Sequence, residues 1–549
     1  MTNHRSNGTG EWDVIVVGGG HNGLVCAAYL GKAGLRVLVL ESREVFGGPS
    51  GSFEFMPGYT ASFSNSPGSL ETRVVEELDL AGAGLRFLRS DPTVIQFFRD
   101  GPFVVWRDMA RVCAQLDAIC PGEGNRYRSF VAKLEDFATR LRTSIFRPAP
   151  GLAYMAAGLT TDEDKDMFEQ VFHGSLSEIL YRHLRTNEAR TLLGLLASNS
   201  GMVPQSAPGT ACGLILRPLA LASAASLPSD DFRRMPLRGS TGHPIGGMGA
   251  IIDAITARCR GFGGSLKPRT RVARILHSDG RARGVECEDG AVYTAPVVVS
   301  AINPKTLFGK LLDDEAVGVR MREEVQRIPM RGAAFKMALA LDGIPPYAGL
   351  PDDLTQDQAS TCQIRVAASM EHIEESTVGA IAGYPSETPI IWGLIPSVVS
   401  PDLTPPGKHI MSWNIWHAPY NLAEGTWDEE KDRFAKRCIE TVSRYMPDLP
   451  DHIIDYRSFS PLDCEAELGI VGSNITHGEM LPHNLFGPRP HRLANDYRTP
   501  LKGLYLTGGG VWPGGFVTGV PGRNTSQAVL ADFAGDRGPA VPVTEAVYG

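Results

Sequence analysis

The sequence lacks the features that mark an exported, zinc-binding or nucleic-acid-binding protein. Its nine cysteines, an odd number, are scattered and include no Cys-x-x-Cys pair, which predicts neither a disulfide framework nor a zinc site. A formal net charge of −8 and the absence of a distinct Lys/Arg cluster argue against nucleic acid as a partner. We therefore expect a cytoplasmic protein with reduced thiols.

Apolar runs long enough to enter a membrane are also missing. The first thirteen residues are polar and lead straight into a predicted strand, so no secretory signal is expected. The most apolar later stretch, residues 211–225, is interrupted by Arg217 and Pro218 and is shorter than the roughly 20 residues of a spanning helix. A buried core helix is predicted there, with peripheral contact at a membrane surface as the alternative.

The signatures of several enzyme classes are absent. The chain has no G-x-S-x-G, no Walker loop and no H-E-x-x-H. His477, Glu479 and His483 are conceivable metal ligands, and His477-x-Glu479 is half of a zinc deaminase signature, but the Pro-Cys-x-x-Cys half is missing. No metal site is therefore predicted.

The order of segments predicts two intertwined domains. At 549 residues the chain exceeds what one hydrophobic core organises. Residues 13–41 have the pattern strand, glycine-rich turn, helix and strand, residues 71–235 are helical in pattern, and residues 244–303 return to alternating helices and strands. The chain thus leaves an α/β domain and comes back to it.

A second domain is indicated by period-2 apolar runs between residues 330 and 455. Residues 335–341 and 410–415 are the clearest of these predicted strands. The expected fold class is α/β, with a Rossmann-type domain and a mixed-sheet domain that carries a helical cap. The first domain is assigned residues 1–75, 236–310 and 456–549, and the second residues 76–235 and 311–455.

The most informative motif directly follows the first predicted strand. Gly18-Gly19-Gly20-His21-Asn22-Gly23 is a G-x-G-x-x-G sequence that opens a helix. Gly18 permits a tight turn, Gly20 lets the backbone approach a pyrophosphate, and Gly23 allows the helix to pack closely on the sheet. Because the helix N-terminus attracts phosphates, this context predicts a dinucleotide site that includes His21 and Asn22.

Two further elements indicate which dinucleotide binds. Glu41 ends the second predicted strand, where its carboxylate would accept hydrogen bonds from an adenosine ribose and repel the 2′-phosphate of NADP. Ser42 and Arg43 then lead to the paired glycines Gly47 and Gly48. This element resembles the fingerprint after the first βαβ unit of amine oxidases and phytoene desaturases, and it favours FAD over NAD.

A second glycine-rich turn lies between Gly503 and Asn524, after a predicted strand and before a helix. Such a helix start aims N–H groups and a partial positive charge at a ligand, which suits the negative charge of a reduced flavin near N1 and O2. We therefore predict a two-part FAD site, formed by residues 14–52 and 503–528.

Together these motifs resemble the phytoene desaturase-like flavoprotein family, particularly bacterial carotenoid ketolases and pyridine nucleotide-disulphide oxidoreductase domain 2 proteins. Matching segments run nearly from end to end and include GGGHNGLVCAAYLGKAGLRVLVLESREVFGG, PIGGMGAIIDAI, GSNITHGEM and YRTPLKGLYLTGGGVWPGGFVTGVPGRN. The resemblance implies that Val272 lies against the adenine and that the flavin and ribityl chain contact Gly508, Gly509, Gly515, Phe516 and Val517.

The resemblance also implies a reaction. We expect dehydrogenation, desaturation, isomerisation or ketolation of a hydrophobic, isoprenoid or polyene-like molecule, with hydride passing to the flavin and then electrons to oxygen or a quinone. Carotenoid-processing members typically have a histidine where this chain has Trp512, which disfavours a long polyene. His477 and Glu479 are the acid/base candidates, with Trp512 as a pocket wall; a structural role is the alternative for His477.

Two other functions stay open at this stage, namely an amine or small-molecule oxidase of secondary metabolism and a flavin-binding protein without turnover. For His243 we favour a position in a surface loop, and a position in the wall of the substrate cleft is the alternative. Trp413 and Trp416 alternate on a predicted strand and either wall an apolar pocket or pack in the core. The sequence leaves the oligomeric state open.

Overall fold

Two large β-sheets organise the protein. The structure is a computed structural model that describes residues 12–65, 69–198, 201–224, 242–332 and 334–536. Buried apolar side chains form one extensive cluster around each large sheet. The α/β fold class expected from the sequence is confirmed, whereas the exact domain boundaries stay a prediction.

The first sheet is wholly parallel and gathers strands from distant parts of the chain. Its inner strands are unbroken runs of buried residues, as expected when helices cover both faces. Helix His21–Lys32 packs against helices Gly247–Gly261 and Val520–Asp536 beside this sheet. In spatial order the strands are Leu504–Leu506, Val297–Ser300, Val14–Val17, Val37–Leu40 and Ser265–Lys267.

A small antiparallel sheet follows the strand Ser265–Lys267. It consists of Val272–Ser278, Arg281–Cys287 and Val292–Thr294. The sequence analysis assigned this region to the alternating helices and strands of the first domain and did not separate it from the parallel sheet. Two strand pairs complete the minor β-structure: Ser52–Met56 with Tyr59–Ser62, and Phe87–Leu88 with His243–Pro244.

The second large sheet has seven strands and is antiparallel except for one pair. Strands Gln363–Val366 and Val94–Phe98 run parallel to each other. The predicted strands 335–341 and 410–415 are confirmed and lie side by side within it. In order, the strands are Ile453–Phe459, Phe335–Leu341, His409–Trp416, Ile390–Leu394, Gln363–Val366, Val94–Phe98 and Gly101–Val105.

The interpretation of residues 71–235 as helical throughout was wrong at its beginning. Strands Val94–Phe98 and Gly101–Val105 form a hairpin at the edge of the seven-stranded sheet. Both strands are rich in β-branched and aromatic residues, and the two-residue turn between them is followed directly by Gly101, which is a hairpin signal. Neither strand alternates cleanly between apolar and polar residues, so the period of two was not evident.

The helical cap begins after this hairpin. Within it, the predicted core helix at 211–225 is a 3₁₀ turn followed by a short α-helix, and its Pro218 and Leu219 are buried. The part of the chain that the structure describes contains no helix long and apolar enough to span a membrane. The cap comprises Met109–Ile119, Glu123–Arg140, Leu152–Ala157, Asp162–Phe168, Glu169–His173, Leu176–His183, Asn187–Ala197, Thr210–Ile215 and Leu216–Ser223.

The remaining helical segments connect the sheets. Most are a single turn or two, and the longest is Trp427–Ser443. They are Gly48–Ser50, Thr72–Glu77, Pro304–Thr306, Leu307–Leu311, Asp314–Val317, Val319–Gln326, Gln356–Ser360, Met370–Ile381, Pro396–Val399, Pro401–Leu403, Trp427–Ser443, Leu449–His452, Pro461–Leu468, Val471–Ser473 and Pro482–Leu485.

Candidate active site

The first glycine turn lies at the carboxyl edge of the parallel sheet. Gly18 has φ of +100°, and a Cβ there would lie 2.9 Å from the side chain of Ile302. A Cβ on Gly23 would lie 2.2 Å from the Gly18 carbonyl oxygen, so helix and turn are in direct contact. At Gly20, in contrast, such a Cβ would have no neighbouring atom of the described residues within 4 Å. The turn therefore leaves an open space beside the helix start, where a pyrophosphate binds in this type of fold.

The helix that begins at His21 has no side-chain cap. Its N-cap residue Gly20 makes no side-chain hydrogen bond, so the first-turn N–H groups are available to an anion. The side chain of Asn22 instead accepts a hydrogen bond from Gly522 N at 3.4 Å. Asn22 thus joins the starts of helices His21–Lys32 and Val520–Asp536.

Glu41 lies beside this turn, as the sequence predicted. Its Oε2 accepts a hydrogen bond from Gly19 N at 2.8 Å, and its Oε1 accepts from Arg43 N at 2.9 Å and from Ser42 Oγ at 3.2 Å. Arg43 donates in turn to the Gly48 carbonyl oxygen at 3.2 Å. The carboxylate is therefore held rigidly at the end of its strand.

The segment before Val272 is hydrogen-bonded to the same strand end. Thr270 N donates to the carbonyl of Glu41 at 2.7 Å, and Arg269 N donates to that of Arg43 at 2.9 Å. Val272 itself is buried at the start of the antiparallel sheet. Its backbone is consequently close to where Glu41 would hold an adenosine ribose.

Several polar atoms around the carboxyl edge lack hydrogen-bond partners. The ring Nε2 of His21 and the hydroxyls of Ser50, Ser300 and Thr507 are buried and have none among the described residues. Ser300 and Thr507 lie at the ends of adjacent parallel strands, and Ser50 follows the paired glycines Gly47 and Gly48. Buried polar groups are normally satisfied. These unpaired atoms, together with the open space at Gly20, fit a bound dinucleotide.

The second glycine turn leads away from the strand Leu504–Leu506. Gly508 has φ of +97°, and Phe516, although not a glycine, has φ of +72°. Val517 N donates to Ser69 Oγ at 3.2 Å, and a Cβ on Gly515 would lie 2.6 Å from the side chain of Thr476. The turn is thus packed tightly against two other segments.

Arg489 is a site residue that the sequence reasoning missed. It is fully buried and donates to the carbonyl oxygens of Gly509 at 2.7 Å, Glu479 at 3.3 Å and Thr476. Burial lowers its pKa to about 10, so the guanidinium stays charged at neutral pH. Arg489 therefore fastens the loop that carries His477 to the second glycine turn. A buried cation flanked by prolines gives no recognisable sequence signal.

The acid/base candidates His477 and Glu479 lie at the edge of this region. His477 is half-buried, with its imidazole close to where a Cβ on Gly509 would lie, and its buried Nδ1 has no hydrogen-bond partner among the described residues. Burial, with Arg489 and then His21 nearby, lowers the pKa of His477 to about 4, so the ring is neutral at pH 7. Burial raises the pKa of Glu479. Neither side chain lines the large cavity described next, and their catalytic roles stay predictions.

A cavity of about 280 Å³ lies between the second glycine turn, the cap and the seven-stranded sheet. Trp512, Gly515 and Phe516 form the wall at the turn. The indole Nε1 of Trp512 donates to the Ser144 carbonyl at 3.3 Å, which fixes the ring as the predicted pocket wall. The cap contributes a mainly aliphatic surface that includes Val131, Leu134, Ile145, Leu193, Leu214 and Leu219.

His243 also lines this cavity, so its preferred placement in a surface loop was wrong. It pairs with Leu88 in a two-stranded ribbon, a long-range pairing that no local pattern indicates. Trp413, on the strand His409–Trp416, is fully buried in the core and does not line the cavity. Trp416, partly buried, packs against the same core.

Lys336 is a second residue that the sequence analysis overlooked. It is fully buried on the strand Phe335–Leu341, and its Nζ donates to Ser412 Oγ at 2.6 Å and to Asn414 Oδ1 at 3.3 Å. Ser412 Oγ donates to Asn65 Oδ1 at 3.0 Å, and Asn65 lines the cavity. Burial lowers the lysine pKa far below 10.5. The sequence feature that could have indicated this buried cation is the single lysine within the otherwise apolar run FKMALAL.

The parallel sheet, the two glycine turns and Glu41 define a class of protein: an FAD-dependent oxidoreductase. The same conclusion comes from comparison with known proteins. Residues 23–530 match the family described as flavin containing amine oxidoreductase. The chain belongs to that family, within which its relatives include carotenoid desaturases and isomerases.

Three similar proteins illustrate the relationship. The pyridine nucleotide-disulfide oxidoreductase domain-containing protein 2 of Rattus norvegicus is 27% identical over 95% of this chain and 94% of its own length. The lycopene-forming phytoene desaturase of Pseudescherichia vulneris is 24% identical over 94% of this chain and 98% of its own. The structure of cyclohexylamine oxidase from Brevibacterium oxydans IH-35A shares the fold, with a TM-score of 0.58 and 15% identity over 95% of this chain and 99% of that one.

Proposed function

We propose that this enzyme dehydrogenates a compact, hydrophobic, isoprenoid-like molecule. The observation that carries the proposal is the largely aliphatic cavity that adjoins the second glycine turn at Trp512, Gly515 and Phe516. When bound, FAD supplies a two-electron acceptor for hydride from a substrate C–H bond. The aliphatic cap residues exclude water from that bond and orient the apolar body of the substrate.

The size of the cavity supports a compact substrate over a long polyene. About 280 Å³ lies just below the range for ligand sites, which is roughly 300–1,000 Å³. Trp512 narrows the wall at the turn, and its hydrogen bond to Ser144 holds it there. Substrates of the size of a monoterpenoid or sesquiterpenoid therefore fit better than a full-length carotenoid.

Loss of hydride from carbon must be accompanied by loss of a proton. Glu71 is the one carboxylate among the described residues that line the cavity, and its backbone N donates to Thr518 O at 3.1 Å beside the turn. This position makes Glu71 the proton acceptor that we favour on geometric grounds. The electrons then pass to oxygen or a quinone. For the case in which the acceptor is a quinone, we also propose that the enzyme makes peripheral contact with a membrane.

The test is anaerobic reduction of the purified holoenzyme, followed through the absorbance of its flavin. Geraniol, geranate and farnesol represent compact isoprenoids, lycopene and phytoene represent long polyenes, and cyclohexylamine represents amines. Bleaching by a compact isoprenoid is the expected result. Bleaching by the amine alone would instead identify an amine oxidase, and bleaching by dithionite but by no organic compound would identify a flavin-binding protein without turnover.

A further inference from the structure

One side of the cavity is strongly polar. We call it the polar wall and define it as Arg107, His243, Gln363 and Arg365. Gln363 and Arg365 lie on the strand that pairs with Val94–Phe98, so they are fixed by the seven-stranded sheet. These two residues of the polar wall are thus held in place by the sheet that carries them.

Arg365 is a buried cation with only neutral partners. It is 6% exposed, and its Nε and Nη2 donate to Oε1 of Gln363 at 3.0 and 2.8 Å. Its guanidinium lies 4.3 Å from the ring of Trp392, and no carboxylate of the described residues is among the groups that shift its pKa. Burial lowers its pKa to about 9, so it remains charged at neutral pH. An unmatched buried charge is costly unless a ligand supplies the counter-ion.

The surroundings of Arg365 add to the positive charge. Three guanidiniums, those of Arg107, Arg217 and Arg365, and a single carboxylate, Glu71, are among the described residues of the cavity lining. Burial, together with nearby Arg107, lowers the pKa of His243 to about 4, so this imidazole is neutral at pH 7. Arg107 lies near the carboxylate of Asp91, whereas no carboxylate of the described residues is among the groups that shift the pKa of Arg365, so an anion in the cavity would be drawn to Arg365.

We propose that the substrate carries a carboxylate, which Arg365 binds at the polar wall while the apolar body extends along the cap toward Trp512. This inference deepens the proposed function, on which it rests, by naming the substrate class as an isoprenoid-like carboxylic acid. A planar guanidinium matches a carboxylate with parallel hydrogen bonds, and Arg365 has N–H groups left over after its contact with Gln363. A cationic amine would be repelled by the same wall.

The experiment compares geranate with geranamide, its neutral isostere, by calorimetric titration of the oxidised holoenzyme. The native enzyme is expected to bind geranate about 10- to 100-fold more tightly than geranamide, because charge-assisted hydrogen bonds are stronger than neutral ones. Arg365→Met should abolish this preference. Gln363→Glu should abolish the preference as well, because the carboxylate of the new glutamate would pair with Arg365 in place of the ligand. Arg457→Met, at the opposite edge of the same sheet, is the control and should retain the preference.

The second variant keeps the test decisive if Arg365→Met does not fold. Equal affinity for geranate and geranamide in the native enzyme would overturn the inference, and so would a preference that survives Gln363→Glu. Tighter binding of geranyl phosphate than of geranate would also overturn it. Reduction of the flavin is measured separately. Selective binding of geranate without flavin reduction would refute the proposed function alone. Flavin reduction by geraniol without a preference for geranate would refute only the carboxylate site.

Discussion

Replacement of Gly20 by alanine separates the role of the first glycine turn in folding from its role in cofactor binding. Gly20 has φ of −66° and ψ of 165°, a conformation that alanine adopts freely. A Cβ at this position would have no protein atom within 4 Å, so the apoprotein should tolerate it. Alanine also restricts the unfolded chain, and the stability of the apoprotein should stay equal or rise by about 0.4–1 kcal/mol.

Binding of FAD should suffer, because the added methyl group occupies the space that a pyrophosphate fills. Loss of one charge-assisted hydrogen bond to a phosphate costs about 1.5–3 kcal/mol, which corresponds to an increase in Kd of roughly 10- to 150-fold. The apoprotein is prepared by removal of the flavin. Its unfolding is measured in urea, and its affinity for FAD is measured by the quenching of flavin fluorescence.

Two other glycines provide the controls. Gly151 is also an uncapped N-cap residue, with φ of −70°, ψ of 153° and no neighbour within 4 Å, but it lies in the helical cap. Gly151→Ala should leave FAD affinity unchanged, and stability should stay equal or rise by about 0.4–1 kcal/mol, as for Gly20→Ala. Gly23→Ala should reduce both, since its Cβ would meet the Gly18 carbonyl at 2.2 Å. The reasoning fails if Gly20→Ala keeps the native Kd for FAD, or if it destabilises the apoprotein as much as Gly23→Ala does.

Two further predictions concern the buried cations. Arg489→Leu should lower the thermal midpoint and raise the Kd for FAD, because the Gly509 and Thr476 carbonyls lose their buried donor at about 1–3 kcal/mol each; an unchanged midpoint would refute this. Burial holds the pKa of Lys336 in the folded state well below its unfolded value of 10.5. Between these two pKa values the unfolded chain binds more protons than the folded protein. The free energy of unfolding should therefore rise with pH, by at most about 1.4 kcal/mol per pH unit. Lys336→Met should flatten this rise between pH 7 and pH 9 in urea unfolding, and parallel pH profiles would contradict it.

The cofactor site could be predicted from the sequence because its signals are local. Gly18, Gly20 and Gly23 are spaced within one turn, and Glu41 follows at the end of the next strand, so their chemistry can be read without knowledge of distant contacts. The second glycine turn has the same property. In both places, backbone geometry requires particular residues at fixed offsets.

The substrate cavity could not be predicted in the same way, because long-range pairing brings its residues together. His243 reaches the cavity by pairing with Leu88, and Arg365 does so through a parallel pairing with the edge hairpin, whose strands were themselves interpreted as helical. Arg489 gains its role from carbonyl groups in two loops. None of these residues has a neighbour in sequence that reveals its partner.

The cofactor site and the polar wall of the enzyme are carried by different parts of the fold. The residues that fit FAD belong to the parallel sheet and its turns, whereas the polar wall belongs to the seven-stranded sheet and to the ribbon at His243. Residues beside the second glycine turn and residues of the polar wall both line the cavity. Substitution at Arg365 can therefore change the charge that a substrate must carry without disturbing the cofactor site, whereas substitution at Gly20 affects every substrate alike. Family membership accordingly predicts the cofactor of this enzyme far better than it predicts the substrate.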